Sequence, residues 1–282
     1  MFQHSLVIDG VRTPCYDTGG GHPGEAVVFV HGNPGLGADW LPFMTDIAPF
    51  ARCLAPDMPG FGAADKPADF DYTVDGYARH LDQLLTARKV SRAHLVLHDF
   101  GGPWGLAWAA LQPERVASVT LVNIGLMRDY RWHYMARIWR TPLLGELFQA
   151  TTTRLGFHLA LRHGNPRGLP KAFIDRMYDH FDRGTRRAIL KLYRATNEIS
   201  GGAETVHAAL RPRDLDCLVI WGKADPYVPW RYAEAQRETF PRAELVYLED
   251  SGHWPFADHP QAFAAALLPF LRRVTATREA VA

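Results

Sequence analysis

What the sequence is short of narrows the possibilities first. Cysteine is scarce: Cys15, Cys53 and Cys217 are the only three in 282 residues, odd in number and far apart. That argues against a disulfide framework or a thiolate metal cluster and predicts buried free thiols in a reducing compartment. A bias of charge is missing too. Thirty-one Lys and Arg against thirty Asp and Glu leave a formal net charge of +1, so nothing points to nucleic acid, an anionic membrane or a polyanionic substrate. No apolar run reaches the roughly eighteen residues that a membrane span needs. Met1-Phe2-Gln3-His4 shows neither the basic start nor the apolar stretch of a secretory leader, and a cytoplasmic protein is expected. His133, His158, His163, His180 and His207 lack metal-ligand spacing and are expected at the surface. No metal or organic cofactor is expected.

What is present is apolar and aromatic. A hydrophobic content of 47%, with eight tryptophans and fifteen phenylalanines, is ample for a sizeable core. His4 to Asp9 and Pro14 to Asp17 read as strands joined at Asp9-Gly10, a hairpin signal. Ala26-Val27-Val28-Phe29-Val30 is a continuous apolar run, the mark of a strand buried on both faces of a parallel sheet. It ends in His31-Gly32-Asn33-Pro34. Further strands are predicted at 52–55, 95–98, 116–122, 217–221 and 244–248, and helices at 73–88, 102–111, 230–239 and 260–273. Strands alternating with helices predict a mostly parallel sheet covered on both faces. The alternation fails from Leu126 to Leu210. That stretch reads as short helices broken at Pro142, at Gly156, between Gly164 and Pro170, and at Gly201-Gly202. It is too long for a connection and is expected to form a helical cap. The expected division is therefore a core from 1–125 and 211–282, with the cap at 126–210. Residues from Thr275 onward read as a frayed tail.

Three polar residues fall where such a sheet gathers its active site, just past the carboxyl ends of strands. Asp99 sits in Leu97-His98-Asp99-Phe100-Gly101-Gly102, a strand–turn–helix context. Asp225 lies in Trp221-Gly222-Lys223-Ala224-Asp225-Pro226, and His253 in Ser251-Gly252-His253-Trp254. Singly, an Asp at a helix start is more often a cap. Three such residues in the order nucleophile, acid, histidine have the order of an α/β-hydrolase triad. The sequence resembles that superfamily over nearly its whole length, and within it the aspartate-nucleophile branch of haloalkane dehalogenases and epoxide hydrolases. His31-Gly32-Asn33-Pro34 resembles the oxyanion loop of both, and His98-Asp99-Phe100-Gly101-Gly102 their nucleophile motif.

The resemblance implies an α/β-hydrolase fold of about eight strands and a covalent aspartyl ester on Asp99. A carboxylate displaces a leaving group at saturated carbon, whereas attack on an ester or amide gives a labile anhydride. His253 would then activate water and Asp225 would orient the imidazole. Backbone N–H groups of Asn33 and Phe100 would receive the oxyanion. His31, His98 and Asp57 read as supports of the loops, and Met58 as a pocket candidate.

The leaving group stays open at this point. A halide needs N–H donors, and Asn33 offers one, but Phe100 stands where the dehalogenases usually carry tryptophan. Trp132 or Trp139 is a substitute donor. An epoxide needs a tyrosine hydroxyl, with Tyr134 and Tyr193 as candidates. Asn123 stands where some dehalogenases place the acid and cannot fill that role, but it is a candidate to hydrogen-bond near the triad and to line the pocket. The halide reading is preferred, because Asn33 and His98-Asp99 match it together. A drifted esterase or lyase, and a non-catalytic receptor, are the other readings. The absence of serine between Leu97 and Gly102 counts against the first, and the intact triad against the second. A small hydrophobic substrate and water are the expected partners.

Overall fold

The computed structural model describes residues 2–196 and 202–276. Its first two strands, β1 (Phe2–Ile8) and β2 (Val11–Asp17), form an antiparallel hairpin. The turn works because Asp9 and Gly10 both take positive φ (47° and 78°), the twist a two-residue connection requires.

The remaining strands are β3 (Glu25–Val30), β4 (Cys53–Pro56), β5 (Arg92–His98), β6 (Val116–Val122), β7 (Asp216–Gly222) and β8 (Glu244–Leu248). They join the hairpin in one eight-stranded sheet of order β1-β2-β4-β3-β5-β6-β7-β8. From β4 to β8 every neighbouring pair is parallel. β3 is buried at every position, as an apolar run without alternation requires.

Helices α1 (Leu41–Ile47), α2 (Val74–Ala87) and α3 (Gly101–Leu111) connect the first strands. Between β6 and β7 the regular elements among the described residues are helical: α4 (Tyr134–Arg140), α5 (Leu144–Thr151), α6 (Arg154–His163), α7 (Lys171–Asp179), α8 (Arg183–Ala195) and α9 (Ala203–Leu210). α10 (Tyr232–Ala235) lies between β7 and β8, and α11 (Pro255–Asp258) and α12 (Pro260–Ala276) follow β8. Cys15, Cys53 and Cys217 are buried free thiols, each pushed up in pKa chiefly by burial.

Two local expectations are corrected. Gly156 does not break a helix but lies inside α6, because the Thr153 hydroxyl caps that helix by accepting the Gly156 N–H at 3.2 Å. The helix expected over 230–239 is the short α10 followed by a tighter turn at Gln236–Glu238. Gln236 there turns its amide inward to bond both the N–H and the C=O of Leu126. The expected break at Gly201, and the tail beyond Ala276, lie outside the described residues. Among the described residues no helix is long and apolar enough to cross a membrane, and no group of three His, Cys, Asp or Glu is placed to hold a metal ion.

Candidate active site

Asp99 stands at the tip of the turn from β5 into α3 with φ of 48°, a left-handed conformation that side chains other than glycine rarely take. Two glycines permit the turn. A Cβ on Gly101 would collide with the carbonyl of Val30, and one on Gly32 would collide with the Asp99 side chain. The β3 loop therefore lies directly against the carboxylate, and the Asn33 N–H donates to Asp99 Oδ1 at 2.7 Å.

His253 faces the other oxygen, with Nε2 3.4 Å from Asp99 Oδ2. Its Nδ1–H donates to Asp225 Oδ2 at 2.7 Å. Asp225 is itself held on all sides. The N–H groups of Tyr227 and Val228 donate to Oδ1 at 2.7 and 3.1 Å, and Asn123 Nδ2 donates to Oδ2 at 2.8 Å. Asn123 also accepts the Gly222 N–H at 3.0 Å and donates to the Gly252 carbonyl at 3.2 Å. It thus ties the end of β6 to the loops that carry the acid and the imidazole.

Burial opposes both charges of the central pair and is overcome. It pushes the Asp99 carboxyl up, yet the hydrogen bond and charge of His253 and the Asn33 N–H bring it down to about 2. It pushes His253 down, yet the carboxylates of Asp225 and Asp99 raise it to about 10. The resting site is therefore an imidazolium between two carboxylates.

The supporting histidines stay neutral. Burial lowers His98 to about 3, and its Nε2–H donates to the His253 carbonyl at 2.8 Å. His31 is also lowered by burial. Its Nδ1–H donates to the Gly32 carbonyl and its Nε2 accepts from Met58 N–H, both at 2.9 Å. Asp57 accepts from Gly37 N–H at 2.7 Å and Ala63 N–H at 2.8 Å, a clamp between loops.

A cavity of about 290 Å³ opens beside Asp99 and His253 and is largely apolar. Trp139 and Tyr193 line it. Tyr193 is 2% exposed, and its hydroxyl accepts from Asn33 Nδ2 at 3.3 Å. Trp139 Nε1 is buried with no hydrogen-bond partner among the described residues.

Four residues expected at the cavity lie elsewhere. Trp132 stacks on Phe100 with centroids 6.2 Å apart, and it also meets the Tyr193 ring at 5.3 Å and the guanidinium of Arg140. Tyr134, the first residue of α4, is 47% exposed. Asn123 sits behind Asp225, and Met58 is sealed in the core. Phe100 is 1% exposed, its ring meeting that of Tyr193 edge-on at 4.9 Å, so its side chain is packing.

Two residues that sequence reasoning passed over line the cavity, His133 and Tyr227. Tyr227 carried a signal, since it lies two residues after Asp225; its ring is 5.3 Å from that of His253. His133, expected at the surface, is enclosed by aromatic rings because the insertion folds back over the strand ends. The same insertion grips the imidazole loop: the N–H of His253 donates to the Gly164 carbonyl at 3.0 Å and that of Trp254 to Asn165 Oδ1 at 3.1 Å.

Fold and site geometry together pose a question of kinship, and the family model of the alpha/beta hydrolase fold matches residues 25–260. The chain belongs to the α/β-hydrolase fold family. This α/β hydrolase is 38% identical to a 2-hydroxy-6-oxo-2,4-heptadienoate hydrolase of Pseudomonas putida, over 94% of this chain and 95% of that protein. It is 27% identical to a haloalkane dehalogenase of Mesorhizobium japonicum, over 90% of this chain and 86% of that one. Among solved structures, the haloalkane dehalogenase DbeA from Bradyrhizobium elkani superposes with a TM-score of 0.85 at 26% identity, covering 98% of this chain and 99% of the other.

Proposed function

We propose that this α/β hydrolase cleaves a bond at a saturated carbon of a small apolar substrate through an ester on Asp99, and that the bond is carbon–halogen. The observation that carries the reading is the placement of Asp99. It is an ionised carboxylate at the strained tip of the elbow, with one oxygen on the Asn33 N–H and the other 3.4 Å from His253 Nε2. In this reading residues 126–210 are the cap on a core of 1–125 and 211–282.

The carboxylate forms a C–O bond to the substrate carbon as the halide leaves with its electron pair. His253, held by Asp225, gives up its Nε2 proton to solvent once Asp99 is esterified; the neutral ring then takes a proton from water as the water oxygen attacks the carbonyl carbon of the ester. The oxyanion gathers on the backbone N–H groups of Asn33 and Phe100 and collapses to release the alcohol and restore Asp99. Two donors suit a departing halide. Asn33 Nδ2 has a second hydrogen beyond the one given to Tyr193, and Trp139 Nε1 has no other partner among the described residues.

One observation favours a second reading, epoxide opening. Because the Tyr193 hydroxyl accepts from Asn33, its own hydrogen is left to donate to a substrate oxygen. The relatives include both a dienoate hydrolase and a haloalkane dehalogenase, so the leaving group is read from the site.

Replacing His253 with Gln stalls hydrolysis after the first step. Intact-mass analysis after incubation with haloalkanes and epoxides is expected to show an adduct mapping to Asp99. A plain alkyl group means halide loss and a hydroxyalkyl group means epoxide opening. Asp99→Asn is expected to lower turnover by roughly three orders of magnitude or more. Turnover by the wild type without any adduct in the His253→Gln variant would sink the covalent mechanism.

A further inference from the structure

We propose that the Nε2–H of His133 donates a hydrogen bond to the leaving atom in this cavity, a donor that the neighbouring Phe100 ring cannot supply. The inference deepens the reading above and rests on Asp99 displacing a leaving group.

Its first support is a tautomer set by secondary structure. His133 is the N-cap of α4, and its Nδ1 accepts the N–H of Ala136 at 3.2 Å. A backbone N–H can only be met by an unprotonated ring nitrogen, so the hydrogen of the neutral ring must lie on Nε2. No protein partner for Nε2 is found among the described residues.

The second support is position. The ring lines the cavity together with Asp99, Trp139 and Tyr193. It stands 5.1 Å from the Tyr227 ring and 6.3 Å from those of Tyr193 and Trp139, measured between centroids. The charges of Asp99, His253 and Asp225 all act on it, and burial, the dominant influence, lowers it to about 4. It is therefore neutral through the ordinary range and does not compete with His253 as an acid.

As the bond to carbon breaks, the leaving atom gains negative charge inside an apolar cavity. A fixed N–H dipole there stabilises that charge more than it would in water, with no proton transferred. The chemistry is the same for a halide and for the oxygen of an opening epoxide ring.

The capping and donating roles are separable. His133→Ser keeps a strong N-cap and removes Nε2–H; His133→Asn, another good cap, serves as a second variant. Both are made in the His253→Gln protein, and the rate of Asp99 adduct formation at saturation is followed by mass. The substrates are a chloride, bromide and iodide of one alkyl group, and an epoxide.

Thermal midpoints are expected to stay near that of the parent. The saturating rate is expected to fall by roughly tenfold or more for the chloride and severalfold less for the iodide, the weaker acceptor. For the epoxide it should fall in the maximal rate rather than in half-saturation. Unchanged rates, or an equal loss for all three halides, would overturn the assignment while Asp99 labelling persists. No labelling with His133 intact would instead remove the covalent reading, and this inference with it.

Discussion

The imidazole of His253 is held between two carboxylates, 3.4 Å from one and 2.7 Å from the other. Esterifying Asp99 removes one of the two negative charges that raise His253 to about 10. Only the Asp225 charge then favours the protonated ring, so its Nε2 proton is released to solvent more readily and the neutral imidazole becomes a base at the step that needs one. The two half-reactions should therefore differ in pH dependence. Formation of the ester, which needs only ionised Asp99, is expected to hold its rate far into acid, because that carboxyl lies at about 2. Breakdown is expected to rise with pH through an inflection well below 10. Rapid-quench measurements of both steps from pH 5 to 9 check this, and a shared acid limb would contradict it. Asp99, Asp225, His253 and Asn33 were legible in the sequence because each follows a strand end within a short motif. His133 and the Trp132–Phe100 stack were not. They arise where the insertion packs on the core, and no local period in the chain encodes which face of α4 looks inward.

Elements carry a different kind of information. Strand ends and the elbow follow from apolar runs and glycines, and Gly101 shows how strict the requirement is. A methyl at that position meets the Val30 carbonyl, which belongs to the adjacent strand and has no flexible end to yield. Gly101→Ala is expected to abolish soluble folding or to displace Asp99 and its activity; near-UV circular dichroism and labelling of Asp99 separate the two. Helix α8 offers a milder case. Asp182 caps it by accepting Thr185 N–H at 2.9 Å and also binds Lys66 of the core at 2.6 Å. Asp182→Ala should destabilise by about 1 kcal/mol, read as a lower thermal midpoint. The helices of the insertion were legible as a class from the failure of the strand–helix alternation. Their boundaries were less so, since Thr153 rather than Gly156 decides where α6 begins.

For the whole molecule, buried neutral histidines govern acid stability. Burial lowers His80 and His133 from 6.5 to about 4, and His98 to about 3. The unfolded chain takes up these protons near pH 6.5 while the folded chain refuses them, so their contribution is full above 6.5 and is lost as pH falls towards 4. Each group contributes about 1.4 kcal/mol per pH unit in that window. Asp39, raised by burial to about 6, Asp258, also raised by burial, and His253, raised to about 10, act with the opposite sign and offset part of this loss. Denaturant titrations between pH 7 and 5 are expected to show falling stability. His80→Gln, which can keep a hydrogen bond to Thr13, should make the fall less steep. At this same scale the insertion and core are bound across the site. Gly164 holds His253, Asn165 holds Trp254, and Arg176 pairs with buried Asp39 at 2.9 Å. Lifting the insertion as a hinged door would break all three links and pull the loop of His253 out of line. The exposed Thr151, Thr153 and Gly156 also line the cavity, so its rim reaches solvent there. The width of that rim is expected to limit the size of what enters, and substitution of Gly156 by a bulky residue checks this by a loss of adduct formation that grows with substrate size.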